Sequence, residues 1–121
     1  MKYCLALAAV MALACQQSEQ VKTDPSYAAD VKPILTASCA TSGCHAGAAA
    51  AGSYDLTTHA GALAGGTDTL PNVVPGQADS SKLYLRIAGY ETPQMPQGGT
   101  PLDDMKAATI RNWINKGAKD N

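Results

Sequence analysis

Hydrophobic positions fall into two patterns along the chain, an unbroken run near the start and helically spaced single positions further on. In "DPSYAADVKPIL" the apolar residues Tyr27, Val31, Ile34 and Leu35 recur at helical spacing. That spacing predicts a first helix with Asp24 as N-cap and Pro25 in its first position, distorted at Pro33. In "DDMKAATIRNWINKGAKDN" the acids Asp103 and Asp104 stand at the positive end of a last helix, and Lys116 and Gly117 close it. Lys106, Ile110, Trp113, Ile114 and Gly117 fall along one face of it. Between these ends, "TTHAGALAGG" and "SSKLYLRI" read as short helices, capped by Thr57 or Thr58 and by Ser80 or Ser81. Gly65 and Gly66 end the first of them, and "LPNVVPG" is a turn-rich connection. The expected fold is all-α, with four short helices.

The unbroken run has a different meaning. Lys2 precedes ten apolar residues from Leu5 to Ala14, and small residues precede Cys15. That is the pattern of a secretory signal. A bilayer core of about 30 Å takes about 20 helical residues, so the run is too short to span one. Ala12-Leu13-Ala14-Cys15 resembles a bacterial lipobox, although its Leu stands one place later than usual. The expectation is that residues 1–14 are removed and that Cys15 carries lipid. Residues 15–24, polar and without periodicity, form a tether, and residues 25–121 form the domain. The expected place is the bacterial periplasm or cell envelope, with a membrane anchor at Cys15.

Charge excludes one class of partner. Nine basic residues are scattered among ten acidic ones with no basic block, so nucleic acid is not expected. Loss of Lys2 with the leader leaves eight bases and a mildly acidic surface. There is no Phe, Trp113 is the single Trp, and much of the apolar fraction is Ala. A core so poor in large side chains calls for a disulfide, a metal or a bound cofactor.

The cysteines narrow that choice. Cys4 leaves with the signal and Cys15 is assigned to lipid, so Cys39 and Cys44 remain, with His45 directly after them. Export favours a Cys39–Cys44 disulfide, but that gives His45 no part. Zinc needs two further ligands, of which His59 is one candidate, and no other Cys or His follows. Covalent haem attachment uses two thiols followed by a His, commonly as C-x-x-C-H. Here the spacing is C-x4-C-H, and Gly43 within the insert permits a positive φ that lets the loop bulge. A haem iron also takes a second axial group. Met95, flanked by Pro93 and Pro96 in a segment that cannot be helical, offers a thioether from a stiff loop.

From Tyr27 to Ala118 the chain resembles a small monohaem c-type cytochrome domain of the bacterial exported and planctomycete type. The resemblance rests on "VKPIL", Cys39-x4-Cys44-His45, "YDLTTHAGALAGG", "VVPGQADSSKLYLRI", "TPQMPQGGTPLDD" and "IRNWINKGA", in that order. It implies a cytochrome c-like fold of about four helices around one haem c. Cys39 and Cys44 then form the thioethers, His45 is the proximal ligand and Met95 the distal one. The longer cysteine spacing is a departure from the majority pattern. Tyr27 and Trp113 are expected to meet where the first and last helices cross, which assigns Trp113 to packing.

The same resemblance implies a one-electron carrier between a redox protein donor and an acceptor, and no enzymatic activity, since both axial places of the iron are filled. Alternatives are an electron-accepting subunit of a periplasmic dehydrogenase, a haem-based redox sensor, or a disulfide-stapled lipoprotein that binds a partner without haem. His59 is the rival to Met95, Met105 is assigned to helix packing, and Arg86 is a candidate partner for a haem propionate. Tyr54, Leu56, Leu63, Val73, Val74, Leu83 and Ile87 are the expected apolar pocket.

Overall fold

The computed structural model describes residues 20–68 and 71–121; the signal, Cys15 and residues 16–19 of the tether lie outside the described residues. Among the described residues the structure is all-α. A π-helical turn, Tyr27–Val31, runs directly into α1, Lys32–Ser38, followed by α2, His59–Leu63, α3, Lys82–Ile87, and α4, Asp104–Asn115. Single 3-10 turns at Gly47–Ala49, Ala51–Ser53 and Ala78–Ser80 join them. No strand occurs among the described residues, where Gly65 and Pro71 form an isolated bridge. No described helix is long and apolar enough to cross a membrane.

The first helical segment starts two residues later than its sequence suggests. Ser26, not Asp24, is its N-cap, and the Ser26 hydroxyl accepts from the Ala29 amide at 3.3 Å. Asp30 returns the favour by accepting from the Ser26 amide at 2.9 Å. This is a capping box stretched by one residue. The stretch matches the wide first turn, in which Val31 N–H donates to Ser26 at 3.1 Å and Lys32 N–H to Tyr27. Pro33 lies just beyond and has no amide to offer Ala29. Asn121 completes the cap from far along the chain, its carbonyl accepting from Ala28 N–H and its side chain from Tyr27 N–H, both at 2.9 Å.

The last helix follows its pattern more closely. Asp103 caps it by accepting from the Lys106 amide at 2.9 Å. Ile110, Trp113 and Ile114 are buried, whereas Lys106 turns to solvent rather than joining their face. Beyond Asn115 the chain reverses through Gly117, at φ 102°, and Ala118, at φ 50°. The reversal lets Trp113 Nε1 donate to the Lys119 carbonyl at 2.9 Å.

The core is where the two ends of the chain meet. Tyr27 and Trp113 stand with ring centroids 5.5 Å apart, as expected for the crossing of the first helical segment with α4. Val31, Leu35, Leu56, Ile110 and Ile114 fill the space around them. A fully buried aliphatic side chain contributes about 1.5–3 kcal/mol, so these few residues carry much of the stability. Lys22, at the end of the expected tether, is already held to α4, because its carbonyl accepts from Asn112 Nδ2 at 2.8 Å.

Candidate functional site

Against this core, Cys39 at the end of α1, α3 and the segments between and after them line a cavity of about 260 Å³. Its wall joins pieces distant in sequence: Cys39 and His45 from the motif, Tyr54 and Leu56 after it, Leu83, Arg86 and Ile87 from α3, and Met95 beyond. A mostly apolar concavity with few polar groups is the usual form of a cofactor site.

The motif loop is shaped by its own backbone. α1 ends at Cys39, whose carbonyl accepts from His45 N–H at 3.1 Å, closing the insert into a loop. Gly43 sits in that loop at φ 79° with open space where a Cβ would be, the positive φ expected of it. The strand of chain after His45 returns alongside it, with Ala51 N–H on the Cys44 carbonyl at 2.7 Å and Leu56 N–H on the His45 carbonyl at 2.9 Å.

This return places the Tyr54 carbonyl 3.0 Å from His45 Nδ1. A carbonyl can only accept, so Nδ1 carries a proton, and the neutral ring in this tautomer has its lone pair on Nε2. A ligating His is commonly held in this way, its other nitrogen donating to a backbone carbonyl. Tyr54 itself is fixed by its hydroxyl, which donates to the Ala62 carbonyl at 2.7 Å inside the core. Burial, with the nearby Cys39 and Tyr27 adding to it, pushes the Tyr54 phenol well above its ordinary range, so it stays protonated.

The two thiols differ. Cys39 is buried in the wall, and Cys44 is exposed at the loop surface. Desolvation, reinforced by the Cys44 sulfur, pushes the Cys39 thiol up to about 11. They are not joined as a disulfide in the structure.

Met95 is half-buried and packs against the core from the loop after α3. The cavity therefore brings together three of the four residues singled out around the haem motif, Cys39, His45 and Met95, whereas Cys44, next to His45 in the chain, is exposed and outside the wall. His59 goes elsewhere: it lies against Tyr27 and Trp113 with Nε2 2.7 Å from the Ala118 carbonyl, outside the cavity wall. α2 packs it against the crossing of the chain ends, apart from Cys39, His45 and Met95. Met105, in the first turn of α4, is likewise outside the wall.

Of the expected apolar pocket, Tyr54, Leu56, Leu83 and Ile87 line the cavity, whereas Leu63, Val73 and Val74 do not. Val73 is instead a core residue, since Ser81 Oγ accepts from Val74 N–H at 2.8 Å and draws that segment toward α3. The same buried hydroxyl donates to the Gln77 carbonyl at 2.8 Å, so Ser81 ties a turn instead of capping α3 with its side chain. Sequence reasoning missed Gly52, Gly66 and Asn72 in the wall. A Cβ on Gly66 would stand 2.5 Å from the Gly52 carbonyl; the glycine run hinted at a helix end, not at this close approach.

A polar edge interrupts the apolar wall. Lys82 and Arg86, one turn apart on α3, both line it and pair with Asp68 and Glu91. Arg86 Nε is buried with no hydrogen-bond partner, and its nearest acid, Glu91 Oε2, is 3.4 Å away. An iron porphyrin fits this donor set: an imidazole with a free Nε2, a thioether, two thiols beside the imidazole, apolar walls and a cationic group with an unused donor.

Residues 42–99 match the family model described as Planctomycete cytochrome C. The match takes in Cys44, His45, α2, α3 and Met95, and begins three residues after Cys39. Comparison with characterised proteins and with solved structures gives no match.

Proposed function

We propose that the chain, whose residues 42–99 match the family model described as Planctomycete cytochrome C, is an exported monohaem c-type cytochrome that carries single electrons between redox proteins. The observation that supports this best is the orientation of His45, with Nδ1 donating to the Tyr54 carbonyl at 3.0 Å and the ring part of the same wall as Cys39 and Met95.

In this reading Cys39 and Cys44 would hold one haem c by thioethers, and His45 and Met95 would bind its iron. The bound haem supplies a one-electron change between ferrous and ferric iron. The residues of the chain do the rest. Tyr54, Leu56, Leu83 and Ile87 exclude water from the macrocycle, and Tyr54 holds the His45 ring so that little has to move when charge changes. A thioether ligand favours ferrous iron and raises the potential. Arg86 offers its unused guanidinium donor to a haem carboxylate. With both axial places taken by side chains, the role is that of a carrier rather than an enzyme.

Cys44, next to His45 in the chain, is exposed, so in this reading a redox partner approaches the haem from its side. Such encounters use small contact areas, below about 1,200 Å² in total. The signal-like run of residues 1–14 and the lipobox-like stretch before Cys15 support an exchange at the surface of a bacterial envelope membrane.

An intact mass of the exported protein from a maturation-competent host tests the whole reading, because it reports haem addition and N-terminal lipid together. Haem that stays with the polypeptide after acidic organic extraction supports the thioethers. A folded, colourless product with free thiols would refute the proposal.

A further inference from the structure

The loop that carries Met95 has few means of holding itself in place. Pro93 and Pro96 lack amide donors, and among the described residues the hydrogen bonds between 91–96 and α3 end on Leu85 and Arg86. Glu91 N–H donates to Leu85 at 3.2 Å, and Met95 N–H donates to the Arg86 carbonyl at 3.0 Å. The Arg86 side chain then reaches along the same loop: Nη1 donates to the Pro93 carbonyl at 3.1 Å, and Nε faces the Glu91 carboxylate at 3.4 Å. One residue of α3 thus meets positions 91, 93 and 95 while its guanidinium also forms part of the cavity wall.

We propose that Arg86 is the positioning residue of the Met95 loop: its guanidinium donates from Nη1 to the Pro93 carbonyl while its charge faces the Glu91 carboxylate, and so sets how firmly the Met95 thioether stays in the cavity. The inference rests on the haem reading above. Arginine matters here because a guanidinium can serve two acceptors in fixed directions, whereas an ammonium is a point charge on a flexible stem. The Arg86 side chain is 21% exposed and Glu91 42% exposed, so solvent weakens that ion pair. The bond to the Pro93 carbonyl is exposed as well, so each tie is modest and the two act together.

The test uses the full-length holoprotein carrying Arg86→Gln, Arg86→Lys or Glu91→Gln. Haem addition is read by mass, and Met95 ligation by the far-red sulfur–iron band of the ferric form, titrated with alkali. Arg86→Gln is expected to keep its haem but lose the band about one pH unit lower than the unaltered protein, the tenfold weakening that follows loss of a charge-assisted hydrogen bond. Arg86→Lys should shift in the same direction by less, and Glu91→Gln by less again. An Arg86→Gln titration that superimposes on the unaltered one overturns the proposal. So does an Arg86→Lys variant that behaves as unaltered, since charge alone would then suffice. If Arg86→Gln fails to mature, the other two decide in the same way. Absence of haem or of the band in the unaltered protein instead refutes the underlying reading, and is seen before any variant is made.

Discussion

His59 Nε2 donates to the carbonyl of Ala118 across 2.7 Å, joining the start of α2 to the reversal that follows α4. Tyr27 and Trp113 each meet the imidazole edge-on, with centroids 5.0 and 5.9 Å away. The ring is a peg at the junction of three segments, and its removal leaves the Ala118 carbonyl without that donor. His59→Ala is expected to destabilise the holoprotein by about 1–3 kcal/mol, measured by denaturant unfolding. The ferric far-red band should be unchanged. Loss of that band with stability intact would return His59 to the iron.

Met95→Ala should show the reverse pairing of effects. The haem stays attached, since both thiols are untouched, but the sulfur–iron band disappears and the potential falls as thioether stabilisation of ferrous iron is lost. Potentiometric titration and the ferric spectrum check this. A variant with an unaltered spectrum would remove Met95 from the axial role.

The two cysteines should separate by reactivity in the haem-free chain. Cys39 is buried and held up at about 11, so at pH 8 about one Cys39 in a thousand is thiolate, the reactive form. Iodoacetamide should label exposed Cys44 first, as peptide mapping would reveal. Equal labelling would mean that the Cys39 wall does not form without the cofactor.

The raised Cys39 value also predicts a pH dependence of folding. The thiol ionises near 9 when unfolded and near 11 when folded, so the unfolded chain releases its proton first. Stability of the haem-free chain is therefore level below about pH 9 and falls between about 9 and 11. Burial acts on Tyr54 in the same sense, extending the fall to higher pH. Urea unfolding of the haem-free chain at pH 8 and pH 10 measures it, and equal midpoints would contradict the burial of these groups.

Gly117→Ala addresses the reversal after α4. At φ 102° the residue lies where a side chain is strained even with space around it, and the nearest atom to a Cβ is Lys119 Cε at 4.0 Å. Backbone strain of this kind costs about 1–3 kcal/mol. The variant should melt earlier and lose part of the Trp113 packing, read as a change in its fluorescence. The spectrum of the haem should not change.

Much of the helical layout was legible along the chain because its causes are local. The spacing of Ile110, Trp113 and Ile114, the cap at Asp103 and the stop at Gly117 each depend on residues within a turn or two. The motif at Cys39, Cys44 and His45 was legible for the same reason. The misplaced start of the first helix is instructive: Asp24 and Pro25 were good local signals, but Asn121 caps the first turn from the other end of the chain, and the Ser26–Asp30 pair fits the widened turn before Pro33.

By itself, then, the sequence determined four helices, a cysteine-histidine loop and a methionine presented between prolines, since steric and hydrogen-bonding rules act over a few neighbouring residues. Only the tertiary structure decided that His59 is spent on Ala118, that Val73 belongs to the core, and that Arg86 spans from α3 to the Met95 loop. Those outcomes depend on packing between segments tens of residues apart, where each group takes the partner that burial leaves within reach.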